Sequence, residues 1–194
     1  GTQDFLVSPN GKSFAAFDAN SEFYLIDPTE EKEYLYFPRE ENVWRFQFHP
    51  DGQSIYIQLE GNRFQVYDIN TFQKIRTISG LKEGSFTLSA DGTKLFYATP
   101  GKTWSDPLTL SVLDISGPEN IDLAKNPSLQ REIGTIPTGS RGLQSSPDGK
   151  ILYVAAADQR EILAIDTKTG KVLKQVKINL KESIYTSWNN FMRF

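Results

Sequence analysis

Ser146-Pro147-Asp148-Gly149-Lys150-Ile151-Leu152-Tyr153-Val154-Ala155 decides the fold, because it sets a turn directly against a β-forming run. Asp-Gly supplies the positive φ of a tight hairpin turn, so the chain on either side of it is expected to pair as antiparallel strands. The run after the turn is apolar on both faces. That pattern fits a strand buried between neighbouring sheets rather than one wetted on one side.

Working outward, the segment recurs upstream as Ser8-Pro9-Asn10-Gly11-Lys12, His49-Pro50-Asp51-Gly52-Gln53 and Ser89-Ala90-Asp91-Gly92-Thr93, at spacings of 41, 40 and 57 residues. A β-rich run follows each turn: 14–17, 55–59, 95–98 and 151–155. An aspartate then closes the next strand at Asp27, Asp68, Asp114 and Asp166, lying 16, 16, 22 and 17 residues after the turn glycine. Followed by Thr, Asn or Ser, such a carboxylate folds back onto nearby backbone N–H groups as an Asx-turn, a structural task that explains its recurrence. A fourth strand is expected at 33–37, 74–78, 131–136 and 172–177.

The first two intervals match one four-stranded propeller blade, and the third matches a blade carrying insertions. The expected fold is therefore all-β: a β-propeller of four-stranded antiparallel blades, with units at 3–37, 42–78, 84–136 and 141–177. A partial fifth unit, 183–194, restarts the pattern with Asn189-Asn190 as its turn. The whole reads as one propeller domain, 1–194, or as a fragment of a larger propeller completed by further chain or by a partner.

The fourth unit, with Ile165-Asp166-Thr167-Lys168-Thr169-Gly170-Lys171-Val172 after its turn, resembles the YVTN repeat and more distantly the WD repeat. The resemblance implies blades, commonly seven to a ring, and no particular chemistry. Proteins of this repeat class include surface-layer proteins, partner-binding modules and the propeller subunit of quinoprotein amine dehydrogenases.

Composition narrows the function classes. The 21 Lys and Arg are scattered among 24 Asp and Glu for a net charge of −3, which offers no basic face for phosphate and argues against nucleic acid. There is no cysteine, hence no disulfide framework, thiolate metal site or Cys nucleophile. No apolar run approaches the ~18 residues of a membrane span. Periplasmic or extracellular placement suits the repeat class.

Candidate binding residues fall into two groups. Blade three is enlarged at 99–107, where Trp104 stands between Lys102 and Asp106, and again at 116–130; insertions beyond a blade's needs point to function. Connections into the innermost strands carry Trp44, Lys82 and Arg141, placed to rim the central opening of such a ring. The bland alternatives are a loop pinned by its own tryptophan and side chains that merely solvate the mouth. His49, the single histidine, replaces the serine of the turn motif and reads as a turn residue. Gly101-Lys102-Thr103 lacks the earlier glycine of a phosphate-binding loop, since Phe96 stands there, and Asp18 to Glu22 lacks the glycine of a calcium loop.

No catalytic constellation, metal site or cofactor is indicated. The expected role is a non-catalytic binding or scaffolding module with a protein partner, self-association or completion by another chain included. The alternatives are a quinoprotein amine dehydrogenase-like subunit and a cell-surface structural protein.

Overall fold

The computed structural model describes residues 5–18, 20, 22–29, 32–82, 84–103, 105–117 and 120–178, without side chains at 32–34 and 141. The proposed fifth unit at 183–194 lies outside these residues. The chain is all-β, built of four antiparallel four-stranded sheets as β-propeller blades.

Blade one is β1 (Phe5–Val7), β2 (Phe14–Phe17), β3 (Phe23–Asp27) and β4 (Lys32–Phe37), paired in chain order. Blade two is β5 (Val43–Phe48), β6 (Ser54–Leu59), β7 (Arg63–Asp68) and β8 (Lys74–Ser79). Blade three holds β9 (Ser85–Leu88), β10 (Lys94–Thr99), β11 (Leu108–Asp114) and β13 (Gln130–Ile136). Blade four holds β14 (Ser140–Ser145), β15 (Ile151–Ala156), β16 (Glu161–Asp166) and β17 (Val172–Lys177).

The turns show why the motif recurs. Only its glycine takes a positive φ, at 73°, 68°, 70° and 67° for Gly11, Gly52, Gly92 and Gly149. The acidic or amide residue before it works through its side chain instead. Asp91 accepts from the Ser89 hydroxyl at 2.6 Å and the Thr93 N–H at 3.0 Å, while the Ser89 hydroxyl accepts the Lys94 N–H at 2.9 Å. Ser146 and Asp148, and Ser8 and Asn10, repeat the arrangement. Every one of these bonds ties a donor in the turn that strand pairing leaves over.

Adjacent blades stack in a fixed sense. The near face of a sheet is the one that blade two turns to blade one and blade four turns to blade three, and the far face is its reverse. In blade two the near face is Phe46, Phe48, Ile55, Ile57 and Leu59, packed on the far face of blade one, where Ala15, Phe23, Leu25 and Phe37 sit. Phe46 meets Phe17 and Phe23 edge-on, with ring centroids 5.4 and 5.0 Å apart. Such pairs contribute about 0.5–1.5 kcal/mol beyond their area. In the same sense, Leu143, Leu152, Val154, Leu163 and Ile165 of blade four pack on Phe96, Ala98, Leu110 and Ile133 of blade three.

The residues fall into two compact units, Gly1–Glu83 with Gly117–Pro127, and Gly84–Ser116 with Ser128–Phe194. The first contains blades one and two and the second blades three and four. The 116–130 insertion explains the split assignment of blade three's residues. Its β12 (Ile121–Asp122) pairs parallel with Ile78 and Ser79 at the outer edge of blade two. Asn120 Oδ1 accepts the Thr77 N–H at 2.7 Å, the Leu123 N–H donates to Ser79 O at 3.1 Å, and Ile121 and Leu123 are buried. This insertion therefore covers a sheet edge that would otherwise present unpaired backbone groups.

Candidate functional site

Trp44 and Arg141 occupy the same place in two blades. In β5 the register passes from Val43 opposite Leu59 to Arg45 opposite Gln58, leaving Trp44 as the extra residue of a β-bulge. In β14 it passes from Ser140 opposite Ala156 to Gly142 opposite Ala155, leaving Arg141. Two residues before each bulge the chain turns left-handed, at Asn42 (φ 45°) and Gly139 (φ 72°). A bulge re-aims the side chain it carries, and bulges gather beside binding sites. Trp44 is 54% exposed, an unusual state for the largest side chain of an inner strand.

The approach to Trp44 is anchored. A single 3₁₀ turn, Arg39–Glu41, ends at Asn42, whose carbonyl accepts the Glu60 N–H at 3.0 Å and whose amide donates to the Glu60 carboxylate at 2.6 Å. Arg63 pairs with Glu41 at 2.7 Å. The pair is exposed and adds little stability, but it joins the strand entry to the β6–β7 turn.

Blade three departs from this plan. Lys82 stands where Asn42 and Gly139 stand and does not take a positive φ. Its side chain is exposed and its carbonyl accepts from the Gln58 amide at 3.5 Å. Gly84 occupies the bulge position, and a Cβ there would fall on the Ala98 carbonyl oxygen. A displayed side chain at this point is thus sterically barred in blade three.

The 99–107 insertion is a loop closed on itself. The Thr103 N–H donates to Asp106 Oδ2 at 2.8 Å, the Asp106 N–H returns to Thr103 O at 3.2 Å, and Gly101 lies against the Asp106 side chain where no Cβ would fit. Asp106 is accordingly a loop-closing residue. Lys102 is exposed. Trp104 lies outside the described residues.

The recurring aspartates are held in turns. Asp27 accepts the Thr29 N–H and hydroxyl at 2.9 and 2.6 Å, and Asp114 binds Ser116 likewise at 2.9 and 2.6 Å. Asp166 accepts from Lys168 and Thr169 N–H groups and from the Thr169 hydroxyl, and Asp68 from Asn70 and Thr71. The Thr29 hydroxyl holds Asp27 below the usual carboxylate range, and the Thr169 hydroxyl does so for Asp166. Partial burial pushes Asp68 up, but the Thr71 and Asn70 donors outweigh it and the net direction is down. Asp91 is drawn to about 2, first by Ser89 and then by Thr93.

His49 takes the serine's part in its turn. Nδ1 lies 2.8 Å from Asp51 Oδ1, and the ring stacks on Tyr56 with centroids 5.9 Å apart. Two features escaped the sequence reading. Tyr24 and Tyr36 both donate their hydroxyls to the Glu22 carboxylate, at 2.9 and 2.7 Å, which pushes each phenol up to about 12. Arg76 is buried on blade two's far face and bonds the Tyr56 hydroxyl, while burial pushes that phenol up. The tyrosine pair was visible only as residues on facing strands, and pairing register is not written in composition.

Among the described residues no group of three or more His, Cys, Asp or Glu is gathered to hold a metal ion, and no helix is long and apolar enough to cross a membrane.

Comparison with solved structures agrees with the blades. The chain is similar to Kuenenia stuttgartiensis hydrazine synthase, with a TM-score of 0.66 and 24% identity over 90% of this chain and 48% of that one. It is similar to a candidate 6-phosphogluconolactonase from Bacteroides uniformis, with a TM-score of 0.59 and 19% identity over 92% of this chain and 56% of that one. A Bacteroides fragilis counterpart gives 0.59 and 19% over 91% and 55%. These likenesses establish the fold alone. This chain spans about half the length of the solved chains. No family model and no curated protein sequence matches it.

Proposed function

We propose that the chain is a non-catalytic propeller module of YVTN type, which binds a protein or small ligand at the bulged entries of its inner strands. Trp44 is the principal contact in blade two and Arg141 its counterpart in blade four. Lys82, Lys102, Trp104 and Asp106 remain further candidate contacts, each within its own blade, with Asp106 shaping the 99–107 loop. The observation that carries this reading is Trp44 itself, a large aromatic ring left exposed on an anchored bulge, where a rigid surface aromatic adds most to binding. The recurring aspartates support it, because turn bonds account for them and leave them no need of a reaction.

Trp44 can report on its own occupancy. In a W104F/W188F background it is the sole tryptophan, and a ligand at the bulge should shift its emission on titration with native-lysate fractions. Trp44→Ala should abolish retention of the same component. Undiminished retention by Trp44→Ala would remove the site. Co-purification with a cofactor-bearing chain and amine-oxidising activity would instead favour the redox-subunit alternative.

A further inference from the structure

Blade one's turn differs from the other three in a single functional group. The residue before the turn glycine is Asp51, Asp91 and Asp148 in blades two to four, and Asn10 in blade one. Asn10-Gly11 is also the only Asn-Gly step in the chain. Its oxygen does what the aspartates do, since Oδ1 accepts the Ser8 hydroxyl at 2.7 Å and the Lys12 N–H at 3.0 Å. Its nitrogen does something an ionised carboxylate cannot, because a carboxylate has no hydrogen to donate. Nδ2 donates to the Gly52 carbonyl of blade two at 2.8 Å. The two turns are close here: a Cβ on Gly52 would come within 3.2 Å of the Asn10 backbone nitrogen and Cβ.

An Asn-Gly step carries its own reaction, since glycine puts no Cβ in the way of ring closure. The Gly11 nitrogen attacks Asn10 Cγ. The N–Cγ bond forms, the Cγ–Nδ2 bond breaks, and the Gly11 proton passes through water to the departing nitrogen, which leaves as ammonia. Water then opens the five-membered imide, giving aspartate where it cleaves the new N–Cγ bond and isoaspartate where it cleaves the original peptide bond. Asn10 is exposed, as are Asp51, Asp91 and Asp148, so water's access is a property of the turn rather than of blade one's place in the chain. The folded turn opposes closure at both reacting atoms. The Gly11 N–H is committed to the Ser8 carbonyl at 2.8 Å, and the Asn10 amide is held by Ser8 and Lys12 on one side and by Gly52 on the other.

We propose that Asn10 is a deamidation site restrained by blade two, and that its conversion to aspartate keeps the blade-one turn while deleting the bond to Gly52. The aspartate formed retains the acceptor that Ser8 and Lys12 need, as Asp91 and Asp148 do at the same position. Its other oxygen meets the Gly52 carbonyl with repulsion in place of a hydrogen bond. The modification therefore acts on the contact between blades one and two and spares the hairpin. It is independent of ligand binding at Trp44.

Peptide mass mapping tests the proposal on the full chain incubated at mildly alkaline pH, folded and in denaturant; tryptic cleavage after Lys12 isolates Asn10. In denaturant Asn10 should convert several-fold faster than any other asparagine, and in folded wild type several-fold more slowly than in denaturant. Gly52→Ala, whose Cβ presses on Asn10, should speed conversion in the folded protein. Gly149→Ala makes the same change in blade four's turn, where a Cβ meets nothing, and should leave the Asn10 rate unchanged. Circular dichroism establishes folding, and Ser8→Ala, which removes one donor to Asn10 Oδ1, replaces Gly52→Ala if that variant does not fold. Asn10→Asp, the product itself, should keep the wild-type spectrum and melt at a lower temperature.

Another asparagine converting first in denaturant would overturn the site. Equal rates in folded and denatured wild type would overturn the restraint, as would equal acceleration by Gly52→Ala and Gly149→Ala. An Asn10→Asp melting transition at or above that of wild type would overturn the assigned consequence.

Discussion

Tyr56 in blade two and Tyr153 in blade four hold the same place in the repeat, two strands in from the edge on the far face, yet one is 4% and the other 36% exposed. Their neighbours diverge in the same way. Ile78 is fully buried where its counterpart Val176 is 46% exposed, and Arg76 is buried where Lys174 is exposed. The four blade strands pair alike in both sheets and both near faces are packed, but blade two's outer strand also carries β12, for which blade four has no counterpart among the described residues. The strand pattern that the two blades share therefore does not by itself set how deeply a far face is buried.

The largest expected contrast lies between the outer strands. Ile78→Ala should cost about 2–5 kcal/mol, the usual range for emptying a packed aliphatic site. Val176→Ala at the matching position should stay within about 0.5 kcal/mol at protein concentrations where the chain is single. Chemical denaturation of the two variants measures both, and equal losses would mean that blade four's far face is covered within the chain.

The turn after β16 gives the next contrast. Gly170 (φ 71°) corresponds to Phe72 (φ 59°), so the left-handed conformation alone does not exclude a side chain. What excludes one at 170 is blade three, because a Cβ there would meet the Ile133 carbonyl oxygen. Gly170→Ala should therefore cost more than about 1 kcal/mol, read as a lower denaturation midpoint with unchanged slope.

Acid behaviour separates the turns. The bonds from Ser89 and Thr93 depress the folded-state pKa of Asp91 to about 2, below the ordinary value of about 3.9. Its contribution is present above the unfolded pKa and is lost as pH falls from about 4 towards 2. Asp91→Asn should flatten the acid limb of a stability-against-pH curve in that window, and an unchanged limb would contradict the assignment. The smallest effect belongs to blade two, where His49→Ser should restore the turn used by the other blades with a stability change within about 0.5 kcal/mol.

Much of this was legible in the sequence, for physical reasons. A turn that needs a left-handed glycine and a strand end that needs an Asx cap leave fixed residues at fixed intervals, so all sixteen blade strands could be anticipated. The bulges under Trp44 and Arg141 were not legible, because one extra residue changes register without changing composition. Nor was β12, whose two residues, Ile121 and Asp122, are too few to show alternation. The length of 116–130 suggests functional elaboration, and that its central part seals the edge of blade two cannot be read from length. Asp106 is a candidate contact by sequence, and the bonds it makes to Thr103 depend on a loop closure that spacing does not reveal.

Hydroxyl-radical footprinting of Tyr56 and Tyr153 tests most directly the claim that equivalent faces differ only in what covers them. At dilute protein Tyr153 should label readily and Tyr56 hardly at all. Equal labelling of the two tyrosines in dilute solution would contradict the account.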